Sequence, residues 1–375
     1  SIVAALEARK TATLEKRAGS LRLFEAWFAT SGRPAAEVFA ERTVFEHMAF
    51  LNDERVGATR GLALTQAINF AGGLFKFNVA ATAGSPRVRG LVVRLLKTRQ
   101  PLRQRAPLTV AMVTFLENLV CDSEEDLECL MAGAALFCLY ARARVGDLRR
   151  SPVDPILDIA AGGRVGFVQG AFFEHKTAKA GSKISLPIVA PLPGVTGRDW
   201  ATPWLDRRHR LRLSAADCGT LLPAPATRGG CTSVPMTTAE FCFLSRFTFL
   251  KCGFTADALA PIGAHSLKTT TLSWMAKAGV DRDSRRALGY HVRADERSME
   301  AYSRDSLAGP LRLLAKVIGD IQAKRFAPDA TRSGFFVPAA PGTPPAGPPS
   351  STCSSRSSSA PSLADSDNEA PGDPL

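Results

Sequence analysis

Tyrosine is scarce in this chain of 375 residues: only Tyr140, Tyr290 and Tyr302 occur, so any chemistry that needs a phenol has three candidates. The eight cysteines contain no C-x-x-C pair, and none stands near a histidine at metal-ligand spacing. That excludes the usual zinc-finger and redox-dithiol patterns, and the cysteines are read as reduced, mostly buried thiols, with no metal and no cofactor expected. Long apolar runs are lacking too. The longest, Leu130 to Ala141, is too short to span a bilayer and suits a buried helix, so no membrane partner is expected. The start carries no signal-peptide pattern, and because it begins at Ser1 rather than Met the chain is taken as a fragment or processed product.

Acidic residues are outnumbered, 35 against 47 Lys and Arg, for a net charge of +12. The surplus is uneven: from Ala327 onward Arg332 and Arg356 face Asp329, Asp365, Asp367, Glu369 and Asp373, so the body of the chain is more basic than the whole. A basic body favours a polyanion such as nucleic acid, although an acidic membrane surface would be attracted as well. At 45% apolar residues the chain can build an ordinary core, and its length allows two domains and a tail.

Read in order, residues 1–90 are helical throughout. Leu6, Leu14, Leu21, Phe24 and Trp27 belong to a first helix, Val38 to Leu51 to a second that begins near Pro34, and Leu62 to Leu74 to a third over Ala58 to Ala81. Residues 91–107 are expected to be a basic linker, the end of a strip that starts at Ser85 and carries Arg87, Arg89, Arg94, Lys97, Arg99, Arg103 and Arg105. A solvated helix face and a clamp along a phosphate backbone account for this strip equally well. A second domain over 108–326 opens with helices, Thr109 being the first cap. Alternation at Val165 to Val168 and at Ile184, Leu186 and Ile188 then predicts strands, joined by the polar loop His175 to Lys183. Trp200 and Trp204 fall in a possible helix, Asp217 to Val234 in a Gly- and Pro-rich loop, and Thr237 to Glu240 in a capping box. Leu311, Leu314, Ile318 and Ile321 mark a last amphipathic helix, and 327–375 is a Pro- and Ser-rich tail expected to be disordered.

The stretch from His265 to Tyr302 holds the residues of most chemical interest. His265 and Lys268, three apart, share a helix face; Gly279 ends that helix, Asp281 caps a shorter one that Gly289 stops, and Tyr290 and His291 follow in the turn. A basic pair, a histidine and a tyrosine can surround one phosphodiester. Taken singly, each also passes for an ordinary surface polar group or amphipathic anchor.

With Arg144-Val145-Gly146-Asp147-Leu148 upstream, the second domain resembles the catalytic domain of the tyrosine recombinases (phage integrase-type), which share their active-site plan with type IB topoisomerases. The family's Arg-aliphatic-small-acidic-Leu motif falls on Arg144; Arg142 and Arg149 do not fit its spacing. Its hairpin lysine falls on Lys176, with Lys179 and Lys183 as rivals. Its His-x-x-Arg motif falls on His265 and Lys268, its Leu-Gly-His motif on LGYH, with Tyr290 or His291 in the histidine position, and its nucleophile on Tyr302. Two departures stand out: a lysine replaces the second arginine, and LGYH has one extra residue. The resemblance covers roughly Leu108 to Ala315, and residues 1–90 are similar to the family's helical DNA core-binding domain in size and class.

The resemblance implies a mainly α fold with a small β-hairpin or sheet, in which a helical core-binding domain precedes an α+β catalytic domain. It implies a site-specific recombinase or integrase acting on double-stranded DNA through a 3′-phosphotyrosyl intermediate, without cofactor, as a homo-oligomer that is tetrameric on DNA. Arg144 and Lys268 would clamp the phosphate, His265 and His291 would assist, Lys176 would protonate the leaving oxygen, and Asp147 would orient its neighbours. A eukaryotic mobile element, similar to the tyrosine-recombinase retrotransposons, is the expected source, with a nuclear location if eukaryotic, otherwise cytoplasmic, and not secreted. A decayed enzyme that only binds DNA, and topoisomerase-like relaxation, are the competing expectations.

Overall fold

Apolar residues recurring every three to four positions, with few β-branched runs, dictate a largely helical chain. The computed structural model describes residues 2–7, 9, 11–99, 104–149, 151, 154–159, 166–172, 186–214, 218–227, 229–290 and 306–330. It is predominantly helical, with two small antiparallel sheets, and divides into two units, Ser1–Arg103 and Gln104–Leu375.

In the first unit the expected first helix is two, Ile2–Glu7 and Thr11–Thr30, followed by Glu41–Asp53, Arg60–Phe75, Ala80–Ala83 and Pro86–Lys97. Phe24, Val44, Met48, Ile68, Val88, Val92 and Leu95 are buried together as its core. His47 lies within this core against Phe24 and Trp27, with ring centroids at 5.0 and 4.7 Å, and burial lowers its pKa to about 4. The basic strip starts as helix rather than linker. Ser85 caps it, its hydroxyl accepting from the Arg87 amide at 3.2 Å, and Pro86 occupies the first helical position. Val88, Val92 and Leu95 turn inward while Arg87, Arg89, Arg94 and Lys97 stay exposed. The expected linker 91–107 therefore shrinks from both ends, because Ala106 already belongs to the second unit, where its amide donates to the Pro261 carbonyl at 3.0 Å.

The second unit is built on the Asp126–Tyr140 helix, buried on every side from Cys129 to Tyr140. The helices Val110–Asp122, Ala201–Arg210, Thr238–Lys251 and Ala264–Lys277 pack around it. Gly133 permits one of these contacts: a Cβ there would stand 2.2 Å from the Trp204 indole. Strands β1 (Ile156–Ile159), β2 (Gly166–Phe172) and β3 (Leu186–Pro191) form an antiparallel meander in the order β1-β2-β3, with Val168 opposite Leu157 and Ala190. Among the described residues no helix is long and apolar enough to cross a membrane.

Several local expectations meet the structure directly. The Thr237 hydroxyl accepts from the Glu240 amide at 3.1 Å, and the Glu240 carboxylate accepts from the Thr237 amide at 2.6 Å, completing the capping box. The supposed loop 217–234 holds a second hairpin, β4 (Pro223–Pro225) paired with β5 (Cys231–Pro235). Proline hides such a strand from a sequence pattern because it cannot donate to the ladder, yet it is tolerated at an edge. The Ala308–Gln322 helix buries Leu311, Leu314, Val317, Ile318 and Ile321 in its own unit's core. The fold continues past 326: the Asp329 carboxylate accepts from the Val110 amide at 2.7 Å, so residues 327–330 are docked; 331–375 lie outside the described residues. Of the seven described cysteines, none in a disulfide, Cys129, Cys138 and Cys218 are buried and the other four half-buried, less buried than expected.

Candidate active site

The Asp126–Tyr140 helix ends in a tight turn. The Ala143 amide donates to the Cys138 carbonyl at 2.9 Å, and Arg142 takes the left-handed conformation, φ +53°, that such a turn demands of the residue after the cap. Two residues later Arg144 starts the one-turn helix Val145–Leu148. The spacing Arg-x-x-Asp now has a local physical cause. Asp147, 5% exposed, folds its carboxylate back to accept from the Arg144 amide at 3.1 Å, and its own amide donates to the Arg144 carbonyl at 2.8 Å. The acidic residue thus holds the backbone that carries Arg144.

The Ala264–Lys277 helix brings in the second motif. Its end is as anticipated: Gly279, φ +80°, follows the cap, and the Val280 amide donates to the Met275 carbonyl at 3.0 Å. His265 and Lys268, however, are not presented alike. His265 is exposed in the first turn, whereas Lys268 is 5% exposed, and its Nζ donates to the Gly289 carbonyl at 3.0 Å. A three-residue step rotates the second side chain away from the first, and here the rotation carries it from the rim to the interior. Burial, and then the charge of Arg144, lower the Lys268 pKa to about 8; Asp147 opposes the shift and Arg142 adds to it. Lys268 and Arg144 are therefore near enough to feel each other's charge.

Asp281 caps the Arg282–Leu288 helix as expected, accepting from the Ser284 amide at 2.8 Å. The stop differs. Gly289 keeps a right-handed φ of −80°, and Tyr290 takes the left-handed position at φ +60°. The Tyr290 hydroxyl donates to the Ala141 carbonyl at 2.7 Å and accepts from Arg142 Nη2 at 3.4 Å. Tyr140, fully buried, donates its hydroxyl to the Glu117 carboxylate. Burial raises the pKa of both phenols. Of the three tyrosines, two are thus committed to internal bonds in their less nucleophilic neutral form.

Of the predicted site residues, Arg144 and Lys268 are brought together and His265 lies on the same helix as Lys268. Lys176, with its rivals Lys179 and Lys183, His291 and Tyr302 lie outside the described residues. Sequence reasoning set Arg142 aside on spacing and did not foresee its contacts. The available signal was an arginine at the end of a long apolar run, where burial is imminent.

No family model matches the sequence, and no curated protein matches it. Among solved structures, lambda integrase (residues 75–356) bound to DNA is 14% identical, over 76% of this chain and 87% of that one, with a TM-score of 0.44. The Tn1549 transposon integrase in complex with transposon right-end DNA is 12% identical, over 80% of this chain and 94% of that one, also at 0.44. A lambda integrase tetramer bound to a Holliday junction is 15% identical, over 75% and 76%, at 0.34.

Proposed function

We propose that this chain is a DNA strand transferase of the tyrosine-recombinase type, a site-specific recombinase or integrase working through a 3′-phosphotyrosyl intermediate. The observation that carries the reading is that the turn leading into Arg144 and the buried Lys268, from separate motifs, are bonded to adjacent carbonyls, Arg142 to Leu288 and Lys268 to Gly289. The engagement of Tyr140 and Tyr290 supports Tyr302 as the nucleophile. Its oxygen attacks phosphorus, its proton passing to His265 in this reading, and the bond to the 5′-oxygen breaks. The departing oxygen takes a proton, from Lys176 in this reading, and the phosphotyrosyl ester conserves the bond for religation. Arg144 and Lys268 offset charge on the non-bridging oxygens, and His265 and His291 add hydrogen bonds. Double-stranded DNA is the partner, a tetramer the working assembly, and a mobile element of a eukaryotic nucleus the setting.

The test uses supercoiled plasmid in EDTA, stopped with detergent. Relaxed topoisomers and DNA-linked protein are expected from the wild type, and Tyr302→Phe is expected to lose both while still binding DNA. Equal adducts from the two proteins would overturn the assignment of Tyr302. Relaxation without any exchange between two DNA partners would instead favour the topoisomerase-like variant. A second reading, a decayed enzyme that keeps DNA binding, is favoured by the burial of Lys268 and its bond to a main-chain carbonyl. An ammonium so held is a poorer phosphate fork than a guanidinium. Under that reading wild type forms no adducts and Lys268→Arg restores them.

A further inference from the structure

Arg142 combines two unfavourable features in one residue. It is a non-glycine residue in the left-handed region, and its guanidinium, 0% exposed, has no ion pair with a carboxylate among the described residues. Either feature costs free energy, and such positions concentrate where a particular geometry is needed. The acceptors of Arg142 show what that geometry is. Nε donates to the Leu288 carbonyl at 3.2 Å, Nη1 to the Tyr140 carbonyl, and Nη2 to the Tyr290 hydroxyl at 3.4 Å, with the Tyr290 ring centroid 5.9 Å from the guanidinium carbon. The Tyr290 hydroxyl donates in turn to the Ala141 carbonyl at 2.7 Å.

Both residues of the contact stand at the left-handed position of a helix end, one closing the helix before Arg144 and the other closing the helix after Lys268. Lys268 completes the link, since it holds the carbonyl of Gly289 while Arg142 holds that of Leu288. We propose, on the strand-transferase reading above, that Arg142 and Tyr290 form a clasp between these two turns that positions Arg144 and Lys268 for an oxyanion. They are positioning residues rather than catalytic ones, because their polar atoms are spent on the protein itself. A planar fork with donors along two edges can reach three acceptors at once, which neither lysine nor a shorter side chain can do.

The test uses the full chain and two probes, sulfate and supercoiled plasmid. Sulfate affinity is read from ligand-dependent thermal stabilisation, which separates affinity from stability. Arg142→Gly suits the left-handed turn and should fold, and Tyr290→Phe keeps the ring. Each is expected to bind sulfate at least fivefold more weakly than wild type while its unliganded melting temperature falls only a few degrees. Arg142→Lys, which keeps the charge and loses the fork, should be as weak as Arg142→Gly. Restored affinity in Arg142→Lys would overturn the clasp in favour of simple charge. Unchanged sulfate affinity in Arg142→Gly and Tyr290→Phe, or no sulfate binding by wild type, would overturn it outright. The two readings fail separately. Weakened sulfate binding without plasmid relaxation by wild type leaves the clasp standing and removes the strand transferase, whereas equal relaxation by wild type and both variants does the reverse.

Discussion

Two buried charges in the second unit are treated in opposite ways. Glu117, 0% exposed, is saturated: one carboxylate oxygen accepts from the Val195 amide at 2.8 Å and from the Tyr140 hydroxyl, the other from the Thr196 amide at 2.9 Å and its hydroxyl at 2.6 Å. Even Gly194 is shaped to it, since a Cβ there would lie 2.0 Å from the carboxylate. Lys268 is buried nearly as deeply, yet among the described residues one carbonyl accepts from its ammonium, and its charged neighbours Arg144 and Arg142 repel it. The acid has every lone pair occupied and serves the fold. The lysine keeps unspent charge beside a second cation, an arrangement that makes sense if an anion is to arrive.

The comparison would break first at Glu117. Glu117→Ala leaves the Thr196 amide, the Thr196 hydroxyl and the Tyr140 phenol without their acceptor and is expected to cost roughly 3 kcal/mol or more, about 10 °C in the second unit's unfolding midpoint. Lys268→Met, by contrast, should leave stability unchanged or raise it by about 1 kcal/mol while abolishing sulfate binding. Equal losses from the two variants, in one denaturant titration, would erase the distinction.

A pH series sharpens it. Below pH 8 Lys268 is protonated folded and unfolded, and the folded chain bears the burial of the charge. Between about 8 and its ordinary 10.5 the folded chain releases the proton while the unfolded chain keeps it. Stability should therefore rise with pH across this window, by about 3 kcal/mol at most, and the rise should vanish in Lys268→Met. The smallest expected effect is that of Thr196→Val, which removes one of Glu117's donors and keeps the amide. It should cost about 1 kcal/mol by the same titration without changing sulfate affinity.

What could be read from the chain depended on distance along it. Arg144 and Asp147 form a local unit whose hydrogen bonds close within four residues, so it fits within the short motif whose family resemblance marked them. The same holds for the Thr237 capping box, Asp281 as a cap and Gly279 as a stop. The basic strip was misjudged at 91–107 because charged residues outnumber the inward Val88, Val92 and Leu95, and only packing shows which side they take. The helix stops at Gly289 as read, but the left-handed position falls one residue later, on Tyr290, for a related reason. Glycine is the favoured left-handed residue, but Tyr290 gains a hydroxyl bond and a guanidinium contact that outweigh local preference.

By itself, the sequence determined the helical character of both units, the central buried helix and the caps. Each of these rests on interactions between residues a few positions apart. Only the tertiary structure decided that His265 stays at the rim while Lys268 turns inward, that two of the three tyrosines are engaged, and that Arg142 reaches the turn at Leu288 to Tyr290. Those outcomes depend on contacts across 21 to 148 residues of chain, where burial and charge rather than local propensity set the balance.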